Sequence, residues 1–344
     1  MKIAFFDSKN YDIESFEPFV KERNIEVKYF EPKLTIDTVG LAQGFDGVCV
    51  FVNDTVNKEV IDRLVEYGVK AVFLRCAGFN NVDLHYSFGK LHVYRVPAYS
   101  PYAVAEHAMA MYLTSNRRIH KAYNRVREYN FSLTGLAGND LYGKTVGVVG
   151  TGKIGRIFIN ICRGFGMNVI AYDAFPAPSS DIKYVSLEEL FKESDIISLH
   201  CPLTPETTHL INKKSIDMMK KGVAIINTSR GGLINSDDLL QGIKDRKIGT
   251  VCLDVYEEES DIFFEDKSGH IMNDSTLLQL IAMPNVIITS HQAFLTKEAL
   301  NNIADTTTSN IVKFFSGEVV GDNEVCYHCG NQANCKKSRK EKCF

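Results

Sequence analysis

Along the first hundred residues, short apolar runs alternate with longer stretches that are apolar at every third or fourth position. The short runs are rich in β-branched and aromatic residues, which favour strands, and the longer stretches have the spacing of amphipathic helices, as in Lys58–Tyr67. The predicted strands are Ile3–Phe6, Val27–Phe30, Val48–Val52, Ala71–Leu74 and His92–Val96. Strands that alternate with helices predict a parallel sheet with helices on both faces.

The same alternation returns in the second half of the chain. Further strands are predicted at Val146–Val149, Val169–Tyr172, Ile196–Leu199, Val223–Asn227, Val251–Asp254 and Val286–Thr289. Before them, the segment after Pro101 has helical spacing and is apolar on more than one face, so we expect it to be buried, with Ala103–Leu113 as a candidate subunit contact. A last amphipathic helix is predicted over about Thr296–Phe315.

A glycine-rich turn follows the strand predicted at Val146–Val149. It reads Gly150-x-Gly152-x-x-Gly155, a helical pattern follows it, and the next strand ends at Asp173. Strand, glycine turn, helix, strand and acid form the fingerprint of a dinucleotide-binding unit. The amides at a helix start suit a pyrophosphate, and the acid accepts from ribose hydroxyls and repels a 2′-phosphate. We therefore expect NAD as the cofactor in preference to NADP.

The position of this fingerprint in the middle of the chain predicts an inserted domain. We expect an α/β protein of two doubly wound parallel-sheet domains, in which a Rossmann nucleotide-binding domain is inserted into a flavodoxin-like substrate domain. The predicted boundaries are residues 1–100 for the first part of the substrate domain, 101–296 for the nucleotide-binding domain, 297–325 for the returning C-terminal helix and 326–344 for a tail.

Composition excludes several classes of protein. The 344 residues are 45% apolar and 24% charged, which is typical of a soluble globular protein, and no apolar run approaches the ~20 residues that span a bilayer. A net charge of −3 gives no reason to expect nucleic acid or an anionic membrane as a partner. Five of the nine cysteines lie in or beside apolar stretches, as buried reduced thiols do. We expect a cytoplasmic protein.

Three charged residues follow predicted strands of the second sheet, where doubly wound sheets bind ligands: Arg230, Glu259 and His291. An arginine matches a carboxylate with a fork of donors, a histidine can give a proton near neutral pH, and a nearby carboxylate stabilises the protonated imidazole. Together they suit hydride transfer to a 2-keto acid and need no metal. Taken singly, each has a structural alternative: a capping arginine, a solvated acid and a structural histidine.

Eleven further stretches carry a resemblance to a known family. They are Phe51–Asp54, Arg75–Asp83, Val96–Pro101, Ala105–Ala108, Asn130–Leu133, Gly150–Gly155, His200–Pro205, Asn227–Gly231, Asp254–Glu257, Phe263–Ser268 and His291–Thr296. With them the chain resembles the D-2-hydroxyacid dehydrogenase family, and within it the fermentative D-lactate dehydrogenases of bacteria, over about residues 1–320 in the family's order.

The resemblance implies a role for each matching residue. Arg230 binds the substrate carboxylate, His291 donates the proton to the keto oxygen, and Glu259 pairs with His291, with Glu257 and Glu258 as competitors for that role. The implied cofactor-binding residues are Gly150, Gly152, Lys153, Ile154, Gly155, Asp173, Cys201, Pro202, Thr207, Thr228, Ser229, Arg230 and Asp254, the last at the nicotinamide amide. The implied substrate-binding residues are Cys76, Ala77, Gly78, Tyr99, Arg230, His291 and Phe294.

Large side chains predict a small substrate pocket. Phe51, Tyr99, Phe294 and Leu295 would wall it and favour pyruvate, with D-lactate as the product; the D configuration follows from the resemblance alone. The alternatives are a bulkier acid, such as 2-hydroxyisocaproate or phenyllactate, and a nucleotide-sensing protein similar to some corepressors. We expect a homodimer or homotetramer.

The tail departs from the family's pattern. Cys326, Cys329, Cys335 and Cys343 are spaced C-x₂-C-x₅-C-x₇-C and are interleaved with basic residues. A structural zinc or iron–sulfur site, a redox-sensitive tail and passive thiols all remain open. We expect truncation after Glu324 to leave hydride transfer intact.

Overall fold

The computed structural model describes residues 1–177, 181–259 and 262–330. In chain order the strands are β1 Lys2–Phe5, β2 Glu26–Tyr29, β3 Gly47–Val50, β4 Ala71–Leu74, β5 His92–Tyr94, β6 Thr145–Val149, β7 Asn168–Tyr172, β8 Ile196–Leu199, β9 Val223–Asn227, β10 Ile248–Leu253, β11 Val286–Ile288 and β12 Glu324–Val325. The helices are α1 Asn10–Glu22, α2 Lys58–Glu66, α3 Leu84–Ser87, α4 Pro101–Asn116, α5 Ile119–Arg127, α6 Lys153–Gly164, α7 Leu187–Glu193, α8 Lys213–Met218, α9 Ser236–Lys244, α10 Ser275–Ala282 and α11 Lys297–Phe315.

The chain divides into two compact units, each with one six-stranded sheet. The first unit is Met1–Ser100 with the chain from Leu295 on, and the second is Pro101–Phe294. All eleven strands predicted from the apolar runs are present, with ends that differ by at most three residues. The central strands β3, β4 and β8 are buried along their whole length, which explains why they read as continuous apolar runs. The predicted α/β fold class is confirmed.

The first unit has the strand order β12-β5-β4-β3-β1-β2. Its five N-terminal strands are parallel and follow the flavodoxin-like order. One edge of this mostly parallel sheet is antiparallel, because β12 adds to β5 in that direction, with Val325 opposite Val93. A strand of two residues is too short to show a pattern in the sequence.

The second unit has the order β11-β10-β9-β8-β6-β7, with all strands parallel. A single parallel bridge joins Tyr184 to Ala171 of β7. Tyr184 thus takes the position of the third strand in the Rossmann order, reduced to one residue. The switch point of this sheet lies between β6 and β8, at their carboxyl ends.

Helix α4 packs within the second unit. Ala105, Ala108 and Met109 belong to the same buried cluster as Phe158 of α6 and Cys252 of β10. This packing explains why the segment is apolar on several faces, so its composition gives no reason to place a subunit contact there. In the described part of the chain, none of the helices has the length and hydrophobicity needed to cross a membrane.

The start of the cysteine-rich tail is anchored to the first unit. Cys326 follows β12 and is buried, and the ring of Tyr327 lies 4.9 Å from that of Phe88. Cys329 lies in a short 3-10 helix, and Cys335 and Cys343 lie outside the described residues. Truncation after Glu324 would delete half of β12, and its effect on hydride transfer stays a prediction.

Candidate active site

The glycine-rich turn joins β6 to α6 at the switch point of the second sheet. Gly150 has φ +93°, and a Cβ there would lie 2.6 Å from the carbonyl of His200. A Cβ on Gly155 would lie 2.0 Å from the carbonyl oxygen of Gly150, so the helix packs directly on the turn. A Cβ on Gly152 would meet no atom within 4 Å. Two of the glycines are therefore required by the fold itself, and the third borders open space.

Asp173, at the end of β7, holds this turn. Its carboxylate accepts hydrogen bonds from the amide and hydroxyl of Thr151 at 2.6 and 2.8 Å and from the amide of Phe175 at 2.8 Å. Partial burial raises its pKa, but these hydrogen bonds outweigh burial and hold the pKa below the usual range, so the group is anionic. Thr151 was not singled out in the sequence, because an unspecified position of the motif gives no signal.

The start of α6 fits a pyrophosphate. Among the described residues, no side chain caps this helix, whose first residues are Lys153 and Ile154, and none fills the space in front of Gly152. Uncapped helix amides bind anions, and the anionic Asp173 beside them suits ribose hydroxyls.

Residues after β8 form the neighbouring edge of this crevice. Burial raises the pKa of the Cys201 thiol to about 11, so this group is neutral. Thr207 donates to the carbonyl of Pro202 at 2.7 Å and orders the loop. His200 bonds Ser198 at 2.9 Å, and burial lowers the pKa of this imidazole to about 3, so a neutral ring lines the turn.

The three candidate catalytic residues follow neighbouring strands. Strands β9, β10 and β11 are paired in parallel, and Arg230, Glu259 and His291 come after their carboxyl ends. A Cβ on Gly231 would lie 2.0 Å from the carbonyl oxygen of Tyr256, so the turn that carries Arg230 packs against the segment that leads to Glu259.

Glu259 is the acid that pairs with His291. Its Oε1 lies 2.9 Å from Nδ1 of the imidazole, both side chains are about one-fifth exposed, and Oε2 accepts from the amide of Tyr256 at 2.8 Å. Glu257 bonds His209 instead. Because Nδ1 faces Glu259, Nε2 is the nitrogen that is left to meet a substrate.

Asp254 holds the turn that carries His291. The carbonyl of Asp254 accepts from the His291 amide at 2.7 Å, and its carboxylate accepts from the amides of Gln292 and Ala293, both at 2.9 Å. These bonds support the left-handed backbone of His291, at φ +54°, which costs about 1–3 kcal/mol in a residue other than glycine.

Two more residues complete this network. The hydroxyl of Thr289 donates to Asp254, and Nε2 of His107 on α4 lies 3.1 Å from that hydroxyl and 3.4 Å from Asp254. Asp254 is fully buried, and its carboxylate contacts Thr289, His107 and the amides of Gln292 and Ala293. His107 and Thr289 give no signal of this network in the sequence, because their partners are distant along the chain.

Comparisons with known proteins place the chain in a family. Residues 109–293 match the family model described as the NAD-binding domain of D-isomer-specific 2-hydroxyacid dehydrogenases, which is more than half of the chain. The chain belongs to this family. It is an NAD-dependent oxidoreductase that acts on the CH–OH group of 2-hydroxy acids.

Full-length relatives extend the match beyond that domain. The dehydrogenase is 51% identical to a 2-hydroxyacid dehydrogenase homolog of Haemophilus influenzae, over 93% of this chain and 98% of the relative. It is 49% identical to the D-lactate dehydrogenase of Escherichia coli, over 92% and 98% of the two chains. The apo structure of that enzyme aligns with a TM-score of 0.87, at 47% identity, over 94% of this chain and all of the other.

A relative with a different named substrate is also similar. The structure of a D-2-hydroxyisocaproate dehydrogenase aligns with a TM-score of 0.83, at 34% identity, over 94% of this chain and 99% of the other. Family and cofactor are therefore established, and the substrate is a question within the family.

The strand end before Arg230 carries two hydroxyl side chains, Thr228 and Ser229. The buried hydroxyl oxygen of Thr228 has no hydrogen-bond partner among the described residues, as expected of a group that meets a ligand. Ser229 instead donates to the carbonyl of Leu199 at 2.8 Å, and Arg230 donates to the carbonyl of Ser229 at 2.7 Å.

The remaining substrate residues of the sequence analysis occupy ordered positions. In the turn at Cys76–Gly78 the carbonyls are tied inward: that of Cys76 accepts from the Val96 amide at 3.1 Å, and that of Ala77 accepts from Arg95 at 3.0 Å. The carbonyl of Tyr99 accepts from Asn302 at 2.7 Å, and Phe294 is buried. In the described part of the chain, no three His, Cys, Asp or Glu side chains form a group able to hold a metal ion.

Proposed function

We propose that this dehydrogenase reduces pyruvate to D-lactate reversibly, with His291 as the acid and base. The observation that carries the proposal is the Glu259–His291 pair next to the strand end of Arg230. Bound NADH supplies the hydride that C2 of pyruvate receives. Nε2 of His291 gives the proton that the keto oxygen needs, and solvent returns a proton to the imidazole.

Arg230 is the proposed carboxylate-binding residue. Its guanidinium donates to the neighbouring carbonyl of Ser229, and a substrate carboxylate would replace that partner with a charge-assisted pair. The turn at Cys76–Gly78 is the proposed second carboxylate contact. Because C=O and N–H of a trans peptide point in opposite directions, the inward carbonyls of Cys76 and Ala77 turn the amides that follow them outward.

For the cofactor, we propose contacts from every residue that the resemblance implied except Asp254. The pyrophosphate would be held by Lys153, Ile154 and the glycines of the turn, and the ribose would be held by Asp173. The adenine side would be lined by Cys201, Pro202 and Thr207. Further cofactor contacts would come from the next strand end, at Thr228, Ser229 and Arg230. The carboxylate of Asp254 is buried and accepts hydrogen bonds from the amides of Gln292 and Ala293. These contacts support a role in positioning the turn of His291 rather than the expected bond to the nicotinamide amide.

The substrate preference rests on bulk. Phe51, Tyr99, Phe294 and Leu295 are the proposed walls, and Phe51 and Phe294 are buried. The name of the E. coli relative supports D-lactate as the product, and the D-2-hydroxyisocaproate relative makes a bulkier acid the second candidate. A purely nucleotide-sensing role is less favoured, because such a protein has no need of the Glu259–His291 pair.

A panel of keto acids tests this proposal. We expect kcat/KM to be highest for pyruvate with NADH, lower for 2-ketoisocaproate and phenylpyruvate, and lower again with NADPH, and we expect chiral analysis to find D-lactate. Arg230→Ala and His291→Ala should each lower kcat/KM on the order of 10³-fold, and the second should leave NADH affinity intact. Preference for a bulky acid would refute the small pocket, and near-normal turnover by His291→Ala would refute the mechanism.

Self-association is a separate part of the proposal. Helix α5 has no buried residue in the isolated chain although it is amphipathic, and Tyr129, Phe131 and Leu133 after it are each at least 69% exposed. A second copy that covers this apolar surface would explain it. We expect a dimer or larger assembly by light scattering and a monomer for Phe131→Ser with Leu133→Ser. A monomeric wild-type protein at micromolar concentration would contradict this.

We also propose a cytoplasmic location. Cys49, Cys162 and Cys252 are buried reduced thiols, and burial raises the pKa of each well above the usual range. Such thiols are typical of proteins in reducing compartments.

A further inference from the structure

Arg75 directly follows β4 and is the largest fully buried side chain of the described residues. Its guanidinium donates to the carbonyls of Phe6 at 3.2 Å and Asp7 at 2.7 Å, and to the carboxylate of Asp12 at 3.2 and 3.4 Å. All of its nitrogens therefore have acceptors. Asp12 also accepts from the Lys9 amide at 3.0 Å, so the start of α1 is tied to the same cation.

Two aromatic rings enclose the guanidinium. Its carbon lies 4.7 Å from the ring centre of Phe5 and 4.6 Å from that of Phe51. A cation over the face of an aromatic ring is attracted to it, and more strongly away from water. Hydrogen bonds hold the nitrogens of Arg75 in place, and the guanidinium so held lies against the ring of Phe51.

The contacts place this guanidinium at the switch point of the first sheet. Phe6 and Asp7 follow β1, Phe51 follows β3, and these strands are neighbours in the sheet. Doubly wound sheets bind ligands in the crevice at this point. Here the chain fills the crevice with its own side chain.

The two segments beside Arg75 are both proposed to contact the substrate. Cys76–Gly78 follows Arg75 directly, and the Arg75 amide donates to the carbonyl of Val50 at 3.0 Å, one residue before Phe51. A shift of the guanidinium would move the turn and the ring together.

We propose that Arg75 is a positioning residue for the keto-acid site, which holds the Cys76–Gly78 turn and Phe51 in the arrangement that binds the substrate carboxylate and limits its size. The inference rests on the proposed function. It predicts that Arg75 governs the KM for the keto acid and has little influence on NADH binding, because the groups it fixes are all in the first unit.

The test compares Arg75→Met and Arg75→Lys with Glu324→Gln. Glu324 is a buried acid at the far edge of the same sheet, and its Oε1 lies 2.7 Å from Nδ1 of His92. Glu324→Gln therefore controls for a general loss of stability, because it removes a buried ion pair away from the substrate segments. We expect Arg75→Met to raise the KM for pyruvate at least about tenfold, with NADH affinity within twofold of wild type. Arg75→Lys should recover part of the loss, and Glu324→Gln should leave KM unchanged.

Several results would overturn the inference. A folded Arg75→Met with wild-type KM would do so, as would a KM that rises equally in Glu324→Gln, since the loss would then follow stability alone. If Arg75→Met does not fold, Asp12→Asn weakens the same clamp, and a wild-type KM there would count equally against it. If the wild-type enzyme prefers another keto acid, the proposal of pyruvate as the substrate is refuted, and the variants are compared again with the preferred acid. The proposed substrate and the proposed role of Arg75 can therefore be refuted separately.

Discussion

The two units build the same kind of crevice and use it in opposite ways. In the second unit the switch point is lined by glycines, and Gly152 borders open space at an uncapped helix start. In the first unit, the equivalent crevice is filled by Arg75, with Asp7 and Asp12 around it. Topology decides where a crevice forms, and the side chains at the strand ends decide whether it receives a ligand or stabilises the fold.

The strongest test of this contrast concerns the acid beside His291 in the second unit. Glu259→Gln removes the negative charge beside His291 and should lower kcat/KM for keto-acid reduction roughly 10²-fold. Glu257→Gln is the matched control, because Glu257 bonds His209 instead. Equal losses in the two variants would show that the observed pairing does not select the catalytic acid.

The glycine turn offers a matched pair of smaller changes. Gly152→Ala adds a Cβ in open space, so the melting temperature should stay near wild type while the Kd for NADH rises at least about tenfold. Gly155→Ala adds a Cβ 2.0 Å from a backbone oxygen and should destabilise the fold itself. Unchanged NADH binding in Gly152→Ala, measured by fluorescence titration, would argue against a pyrophosphate at this turn.

The filled crevice of the first unit should respond to pH through Asp54. Burial raises the pKa of Asp54 from 3.8 to about 6, although Arg75 and the amides of Phe51 and Leu34 oppose the rise. Folding therefore takes up a proton between these values, and this contribution to stability is full below about pH 4 and is lost as pH rises through 6.

Asp54→Asn should accordingly gain stability relative to wild type as pH rises from about 4 to 7. The shift of about two pKa units corresponds to a relative change of about 3 kcal/mol in the free energy of unfolding. Denaturant unfolding of both proteins at several pH values measures it. A difference that does not vary with pH would contradict the burial of an ionisable group there.

The smallest effect is expected from the tail. Ending the chain after Gly330 should leave kcat/KM within about twofold of wild type, because β12 is intact. Ending it after Glu324 deletes the buried Val325 and should lower stability by about 1.5–3 kcal/mol, visible as a lower melting temperature. A folded Gly330 truncation without turnover would show that the cysteine-rich tail contributes to catalysis.

Local pattern explains why so much of the fold could be predicted. Buried parallel strands read as continuous apolar runs, and the glycine fingerprint has meaning only between a strand and a helix. The family's roles for Arg230, Glu259 and His291 followed from matching segments. The same resemblance favours Glu259 over Glu257 and Glu258. The fold shows the contacts that no local pattern encodes, because Glu259 bonds His291 and Glu257 bonds His209.

By itself, the sequence of this dehydrogenase determined the two sheets, the nucleotide-binding turn and the family, since each depends on residues close together in the chain. Tertiary structure alone decided the rest. The pairing of β12 with β5, the network of Asp254 with Thr289 and His107, and the burial of Arg75 beneath Phe51 all join residues that are distant in sequence. Their partners are chosen by packing and hydrogen bonding in three dimensions, which leave no periodic signal along the chain.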